Sequence, residues 1–180
     1  MLSAVAFVLM AIDFPVPFMP PFIKMDLSEF PALIGSFALG PIYGIAICFI
    51  KNLLNFILRS STGGVGELSN FLLGACFVGV SGLIYKYKKT RTGALVGSLA
   101  GAAAMAIFSV FSNYYLVYPI YTKFMPMEAI LAAYQAINPA VENLWQALIW
   151  FNMPFTFVKG MLDVLLCFLI YKRLSPILKG

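Results

Sequence analysis

No histidine occurs in the 180 residues, which removes the commonest general base and the commonest metal ligand. Cysteine is scarce: Cys48, Cys76 and Cys167 lie singly inside apolar runs, with no CxxC spacing and an odd count. Neither a disulfide framework nor a zinc site is supported, and the three read as small buried hydrophobes. Charge is scarce as well, at 11% of residues, with seven acids against twelve Lys and Arg; a soluble domain averages roughly 25%. The excess of +5 is no nucleic-acid signal, because no basic residue is interleaved with a solvated aromatic face. Low-complexity segments and internal repeats are absent too, which counts against inverted-repeat transporter folds. What is abundant is apolar: 62% of the chain. A chain of this length buries only about 70% of its unfolded surface. A soluble globular protein and a disordered one are both excluded, and the solvent for most of this surface must be lipid.

The pattern predicts an all-α membrane protein, one integral domain over 1–180, with six transmembrane helices at about 1–18, 28–39, 41–58, 66–85, 92–113 and 141–171. The first starts with no basic lead, so it is no convincing signal peptide, and residues upstream are expected to lengthen it. The second is short; Pro31 falls in its first turn, where proline is tolerated, and Gly40-Pro41 ends it. The last is longer than a bilayer core requires, and Pro154 is expected to kink it.

Orientation follows from Lys and Arg. Lys86, Lys88, Lys89 and Arg91 sit between the fourth and fifth helices, and Lys172, Arg173 and Lys179 at the C-terminus, neither group with an acid. Both belong on the cytoplasmic side, which alternation extends to the N-terminus. The opposite side receives the loops at about 13–27, 59–65 and 114–138 and most of the acids. The first loop is stiffened by prolines and rich in aromatics that need cover. The second, Ser60-Ser-Thr-Gly-Gly64, is a backbone-rich turn able to approach a ligand. The third predicts a short interfacial helix from Pro126, with apolar residues at 127, 130, 131, 134 and 137.

Polar groups inside spans are costly and therefore informative, at about 2.5–3.5 kcal/mol for a central Lys or Asp. Asn152, Thr156, Lys159 and Asp163 are spaced four, three and four apart, on one stripe of the sixth helix. They read either as the polar wall of a cavity, with Lys159 a donor to a buried ligand, or as a Lys159–Asp163 ion pair. Lys51, Asn55 and Arg59 repeat the spacing on the third helix: Lys51 and Asn55 line the same cavity or pair with Glu67, and Arg59 snorkels to the interface. Glu67 suits its helix N-terminus, whereas Asn70, a turn deeper, needs a partner or a ligand. Asn113 ends the fifth helix where the outer loops converge, and its amide suits the edge of a heteroaromatic ring. Gly93, Gly97 and Gly101 repeat every four residues and read as a close-packing face within the molecule rather than a dock for another protein.

Taken in order, residues 24–35 (KMDLSEFPALIG), Gly40-Pro41, 51–54 (KNLL), 63–71 (GGVGELSNF), 113–115 (NYY) and 152–160 (NMPFTFVKG) resemble the substrate-binding S component of energy-coupling factor (ECF) vitamin transporters, in particular the riboflavin-binding type. The resemblance runs over about 1–173. It implies a multi-pass protein of a bacterial cell membrane, not an enzyme, with no cofactor: riboflavin is the transported ligand. The vitamin is bound from the outer side, under the first loop, and handed over by docking to a membrane coupling subunit and two cytoplasmic ATPases. Family ligand positions fall on Asn113 and Lys159, with Thr156 where the family usually has Asn. Asn152, Asn70, Phe22, Met25, Asp26 and Tyr114 complete the expected site. The family docks through small residues on the first helix; here Ser3, Ala4 and Ala11 are the candidates, without a clean repeat. No catalytic or metal-ligating set and no nucleic acid is expected. A flavin is flat and apolar on its faces and hydrogen-bonds at its edges, which suits 17 Phe, 9 Tyr and 9 Met with isolated amides and one ammonium. The alternatives are an S component for thiamine, biotin, folate or pantothenate, an intramembrane enzyme using Lys159 or Asp163, and a purely structural subunit. The second lacks a His or a Ser beside a base, and the third leaves the polar stripe unexplained.

Overall fold

The computed structural model describes residues 1–60 and 63–178, with the side chains of 171–178 outside the description. The expected turn at Ser61 and Thr62 and the basic side chains of Lys172, Arg173 and Lys179 therefore lie outside the described residues.

Nine helices and one small ladder make up the described chain: α1 (Leu2–Ala11), β1 (Phe14–Pro15), β2 (Lys24–Met25), α2 (Glu29–Leu39), α3 (Pro41–Arg59), α4 (Val65–Tyr87), α5 (Arg91–Ser112), α6 (Tyr118–Tyr121), α7 (Met127–Gln135), α8 (Leu144–Ala147) and α9 (Met153–Leu178). Two π-helical turns, Asn113–Val117 and Leu148–Asn152, join α5 to α6 and α8 to α9. Four stretches are long and apolar enough to cross a membrane: Pro41–Arg59, Val65–Tyr87, Arg91–Tyr121 and Leu144–Ile170. Leu2–Ala11 and Glu29–Leu39 are apolar but shorter.

The packing follows the residue types. From Pro31 to Phe37, α2 is buried on every side, as expected of a helix that is apolar all round. It threads the centre, where Ala32, Leu33 and Phe37 meet Phe77, Val78 and Ala102. Gly40, at φ 114°, makes the sharp α2–α3 corner that a side chain would strain. The glycine face of α5 packs inside the molecule, as expected: a Cβ on Gly101 would meet the Phe77 carbonyl of α4 at 2.6 Å. Ile42, Leu53, Ile57, Leu95, Val96 and Leu165 point outward, as lipid-facing residues do.

Several expected boundaries change. The first helix stops at Ala11 rather than near 18, because Phe14–Pro15 pairs antiparallel with Lys24–Met25 and the prolines beyond cannot continue a helical ladder. The fold is thus not wholly α. The fifth span runs on to Tyr121, and the sixth begins at Leu144 instead of 141. Pro154 is accommodated by the π turn just ahead of it, one of the standard departures at a residue that lacks an N–H. The helix expected from Pro126 is α7, with Ile130 and Tyr134 fully buried.

Candidate functional site

At the end of the bundle where the 13–27 loop crosses α4, α5 and α9 lies a cavity of about 270 Å³. Its floor and one wall carry the ionic and amide groups; Phe22, Ile23, Leu73, Met105 and Phe155 supply apolar faces. Of the expected site residues, Asn113, Thr156, Lys159, Asn152, Asn70, Asp26 and Phe22 all line it. They come from four parts of the chain, so the convergence belongs to the tertiary fold and not to any single helix.

Met25 and Tyr114 do not line the cavity. Side chains alternate across a strand: Lys24 and Asp26 face in, while Met25 between them is buried on the other side, 5% exposed. Adjacent helical residues point about 100° apart, so the turn that aims Asn113 inward aims Tyr114 outward. There its ring lies edge-on to Trp145 at 5.2 Å. Ser3, Ala4 and Ala11 stand on α1 with Ala4 exposed and the other two half-buried, away from the cavity lining.

Lys159 is the hub. Its Nζ donates to Asp26 Oδ2 at 2.9 Å and to Asn70 Oδ1 at 3.4 Å, and Glu29 Oε2 lies 3.4 Å away. The alternative Lys159–Asp163 pair is not formed. Helical side chains tilt toward their own N-terminus, so Lys159 reaches back toward the loop and away from Asp163, which lies one turn C-terminal. Asp163 does something else: it is fully buried, and its Oδ1 accepts from the Phe30 N–H at 3.0 Å, 133 residues away. That N–H is one of the first-turn donors of α2, a helix without a side-chain cap of its own, so Asp163 caps α2 from across the bundle.

Lys51, read as lining the cavity or pairing with Glu67, does neither. It is wholly buried, 2.7 Å from Glu29 Oε1, and donates also to the Ser28 hydroxyl. Glu67 instead accepts from Asn55 Nδ2 at 2.9 Å, and both line the cavity. Two ammoniums thus face Asp26 and Glu29 in one buried cluster, which Asp163 borders. Burial would push the Asp26 carboxyl up; the Lys159 and Lys51 ammoniums and the Ser28 hydroxyl outweigh it and hold it at about 2. At the rim, Lys24 is already paired with Asp13 at 2.9 Å.

Aromatics that follow a span read first as an interfacial belt, yet Tyr118 and Tyr121, just beyond the fifth helix, both line the cavity. Tyr134, expected only on the apolar face of the helix from Pro126, stands behind the cavity wall. The Tyr134 hydroxyl donates to Asn152 Oδ1 at 2.6 Å and stands 2.5 Å from the Tyr118 hydroxyl, and burial pushes its phenol well above the ordinary tyrosine value. Asn113 Oδ1 accepts from the Ser69 hydroxyl at 3.2 Å, which leaves its NH₂ end as the hydrogen-bonding face toward the cavity. The arrangement can hold a flat, mainly apolar molecule whose edge bears several acceptors. Among the described residues no group of His, Cys, Asp and Glu is placed to hold a metal.

Known proteins share this design. A family model described as the ECF transporter, substrate-specific component, matches residues 1–171. The riboflavin transporter FmnP of Bacillus subtilis (strain 168) is 36% identical, the match covering 98% of this chain and 89% of that one. The riboflavin transporter RibU of Staphylococcus aureus (strain TCH60) is 35% identical over 99% of this chain and 89% of its own. A solved structure, described as the S component of a bacterial ECF transporter, is 34% identical, with a TM-score of 0.77, covering 100% of this chain and 94% of that one. With a helical bundle, a loop-capped cavity and a match over almost its whole length, the chain belongs to the substrate-specific S components of ECF transporters.

Proposed function

We propose that this chain captures riboflavin in the cavity under the 13–27 loop and delivers it to a membrane coupling subunit driven by two cytoplasmic ATPases. The observation that carries the reading is the convergence of Asn113, Thr156 and Lys159 on one cavity with aromatic and aliphatic faces. The names of the relatives, both riboflavin transporters, support it. In this reading α1 and α2 are spans as well, completing six and placing both termini in the cytoplasm of a bacterial cell whose membrane the chain crosses repeatedly. The exposed basic run 86–91 between α4 and α5 supports that orientation. Phe22, Tyr118 and Phe155 flank the flavin ring; Asn113, Thr156, Lys159 and Asn70 serve its edge. Ser3, Ala4 and Ala11 belong to a face of α1 that meets the coupling subunit.

The test is a titration of the purified protein with a vitamin panel. Riboflavin fluorescence is expected to be quenched near a one-to-one ratio, with no competition from thiamine, biotin, folate or pantothenate. A protein that ignores riboflavin and takes up one of the others refutes the reading.

A further inference from the structure

Three polar side chains at the outer end of the bundle form a closed ring. Tyr134 donates to Asn152 Oδ1 at 2.6 Å, the Tyr118 and Tyr134 hydroxyls are hydrogen-bonded at 2.5 Å, and Asn152 Nδ2 donates to the Tyr118 hydroxyl at 3.5 Å. Because the Tyr134 proton goes to Asn152, the Tyr118 proton must go to Tyr134. Each phenol then spends its single donor inside the ring. Asn152 spends one N–H and keeps the other.

The members differ in what they face. Tyr118 and Asn152 line the cavity, and Tyr134 does not. It stands behind them, 0% exposed, on α7. It also supports the cavity's apolar face, its ring edge-on to Phe22 at 6.1 Å. Tyr134 therefore touches cavity-lining groups from the first outer loop, from α6 and from the π turn that precedes α9. Two of these three cavity-lining partners sit in or beside the π turns, where the backbone's own i−4 ladder is interrupted.

We propose that Tyr134 is a positioning residue of the binding cavity: by closing the ring it fixes the Asn152 carboxamide so that a free N–H points into the cavity, and it withholds the Tyr118 proton from the ligand. The ligand edge over this wall is consequently one that accepts a hydrogen bond. Removing the Tyr134 hydroxyl opens the ring. Asn152 Oδ1 is left to seek a donor, and the Tyr118 proton turns toward Asn152 or the cavity. An acceptor on the ligand then meets a wall that no longer presents one defined donor.

This inference rests on the riboflavin reading, and its test separates the two. Riboflavin affinity is measured by fluorescence quenching for the wild type, Tyr134→Phe, Asn152→Ala and the double variant, with elution profile and helical circular dichroism as controls. Tyr134→Phe is expected to weaken binding about 5- to 30-fold, the worth of about one net buried hydrogen bond. In the Asn152→Ala background the same change is expected to cost a smaller factor, about threefold or less, since the tie through Asn152 is gone and only the one to Tyr118 remains. Where Asn152→Ala does not elute as a folded protein, Asn152→Ser takes its place. Equal losses in both backgrounds, or a lowered melting temperature with unchanged affinity, overturn the proposal in favour of a purely structural tie for α7. A wild type that does not bind riboflavin overturns both readings; a wild type that binds it, with variants that show either of those two outcomes, overturns only this one.

Discussion

Lys51 and Glu29 are the most deeply buried ion pair among the described residues, 0% and 1% exposed and 2.7 Å apart. Substituting Lys51 by Met preserves the volume and removes the charge. At an effective dielectric of about 20 the lost attraction is about 6 kcal/mol at this distance. The pair's own desolvation had offset most of that, so the net cost is that of a stranded carboxylate, about 3–5 kcal/mol. Lys159 remains 3.4 Å from Glu29 Oε2 and supplies partial compensation, which places the expected loss near the lower bound, about 3 kcal/mol. For a chain of this length that lowers the melting temperature by about 6–12 °C. Differential scanning fluorimetry in detergent measures it. Pairing Lys51→Met with Glu29→Gln removes the stranded charge and is expected to recover at least half of the loss. A single variant within about 2 °C of the wild type, where the expected loss is several times larger, or a double variant as unstable as the sum of its parts, refutes the charge argument.

Three further outcomes are expected. Lys159→Ala weakens riboflavin binding at least about tenfold, equivalent to about 1.4 kcal/mol, while the protein still elutes as a folded species; unchanged affinity in the titration reduces Lys159 to an ion-pair role. Asp163→Asn keeps the acceptor for the Phe30 N–H and leaves the melting temperature almost unchanged, whereas Asp163→Leu removes the α2 cap and costs about 1–2 kcal/mol in the same assay. Asp26 is held at about 2 when folded against an ordinary 3.8, so its contribution to stability is present above that ordinary value and disappears as pH falls toward 2. The melting temperature of the wild type should fall over that window, and that of Asp26→Asn should fall less.

The long spans were legible because lipid imposes a simple rule on composition over about 20 residues, and Gly93, Gly97 and Gly101 were legible because close helix contact in lipid demands small side chains. Asn113, Thr156 and Lys159 stood out for the same reason: each is costly in hydrocarbon and so requires a purpose. Partners were a different matter. The spacing made Asp163 the obvious neighbour of Lys159, yet the tilt of helical side chains favours the opposite direction, and the true partner, Asp26, is 133 residues away. Nothing local marks such a pairing. The π turns at Asn113–Val117 and Leu148–Asn152 have no sequence signature either, and each rotates the helix on its C-terminal side. That is why Tyr118 turned up in the cavity wall rather than in an interfacial belt. The two-residue β ladder is too short to carry an alternating pattern, so Met25 and Asp26 could not be sorted by face.

If the cavity holds a flavin, as proposed, its charge balance bears on which one. Lys51 and Lys159 are each engaged by a buried carboxylate, and Lys24 at the rim is paired with Asp13. Arg59 is exposed at the cavity lining, where water screens it. Among the described residues that line the cavity, each lysine thus already has a carboxylate partner, and Asp26, Glu29 and Glu67 line it too. A neutral riboflavin enters without disturbing the balance. A phosphorylated form brings a charge of about −1.5 to −2 at neutral pH to a site whose lysines are engaged, so it must displace a carboxylate from a lysine, settle on the exposed and water-screened Arg59, or leave its phosphate in the solvent. The expected result is that flavin mononucleotide binds at least about tenfold more weakly than riboflavin, or about 1.4 kcal/mol, in competition titrations, and that the gap narrows in Asp13→Asn, which releases Lys24 at the rim. Equal affinity for the two flavins would mean that Arg59 or a paired lysine holds the phosphate after all, and the argument from neutral charge would fail with it.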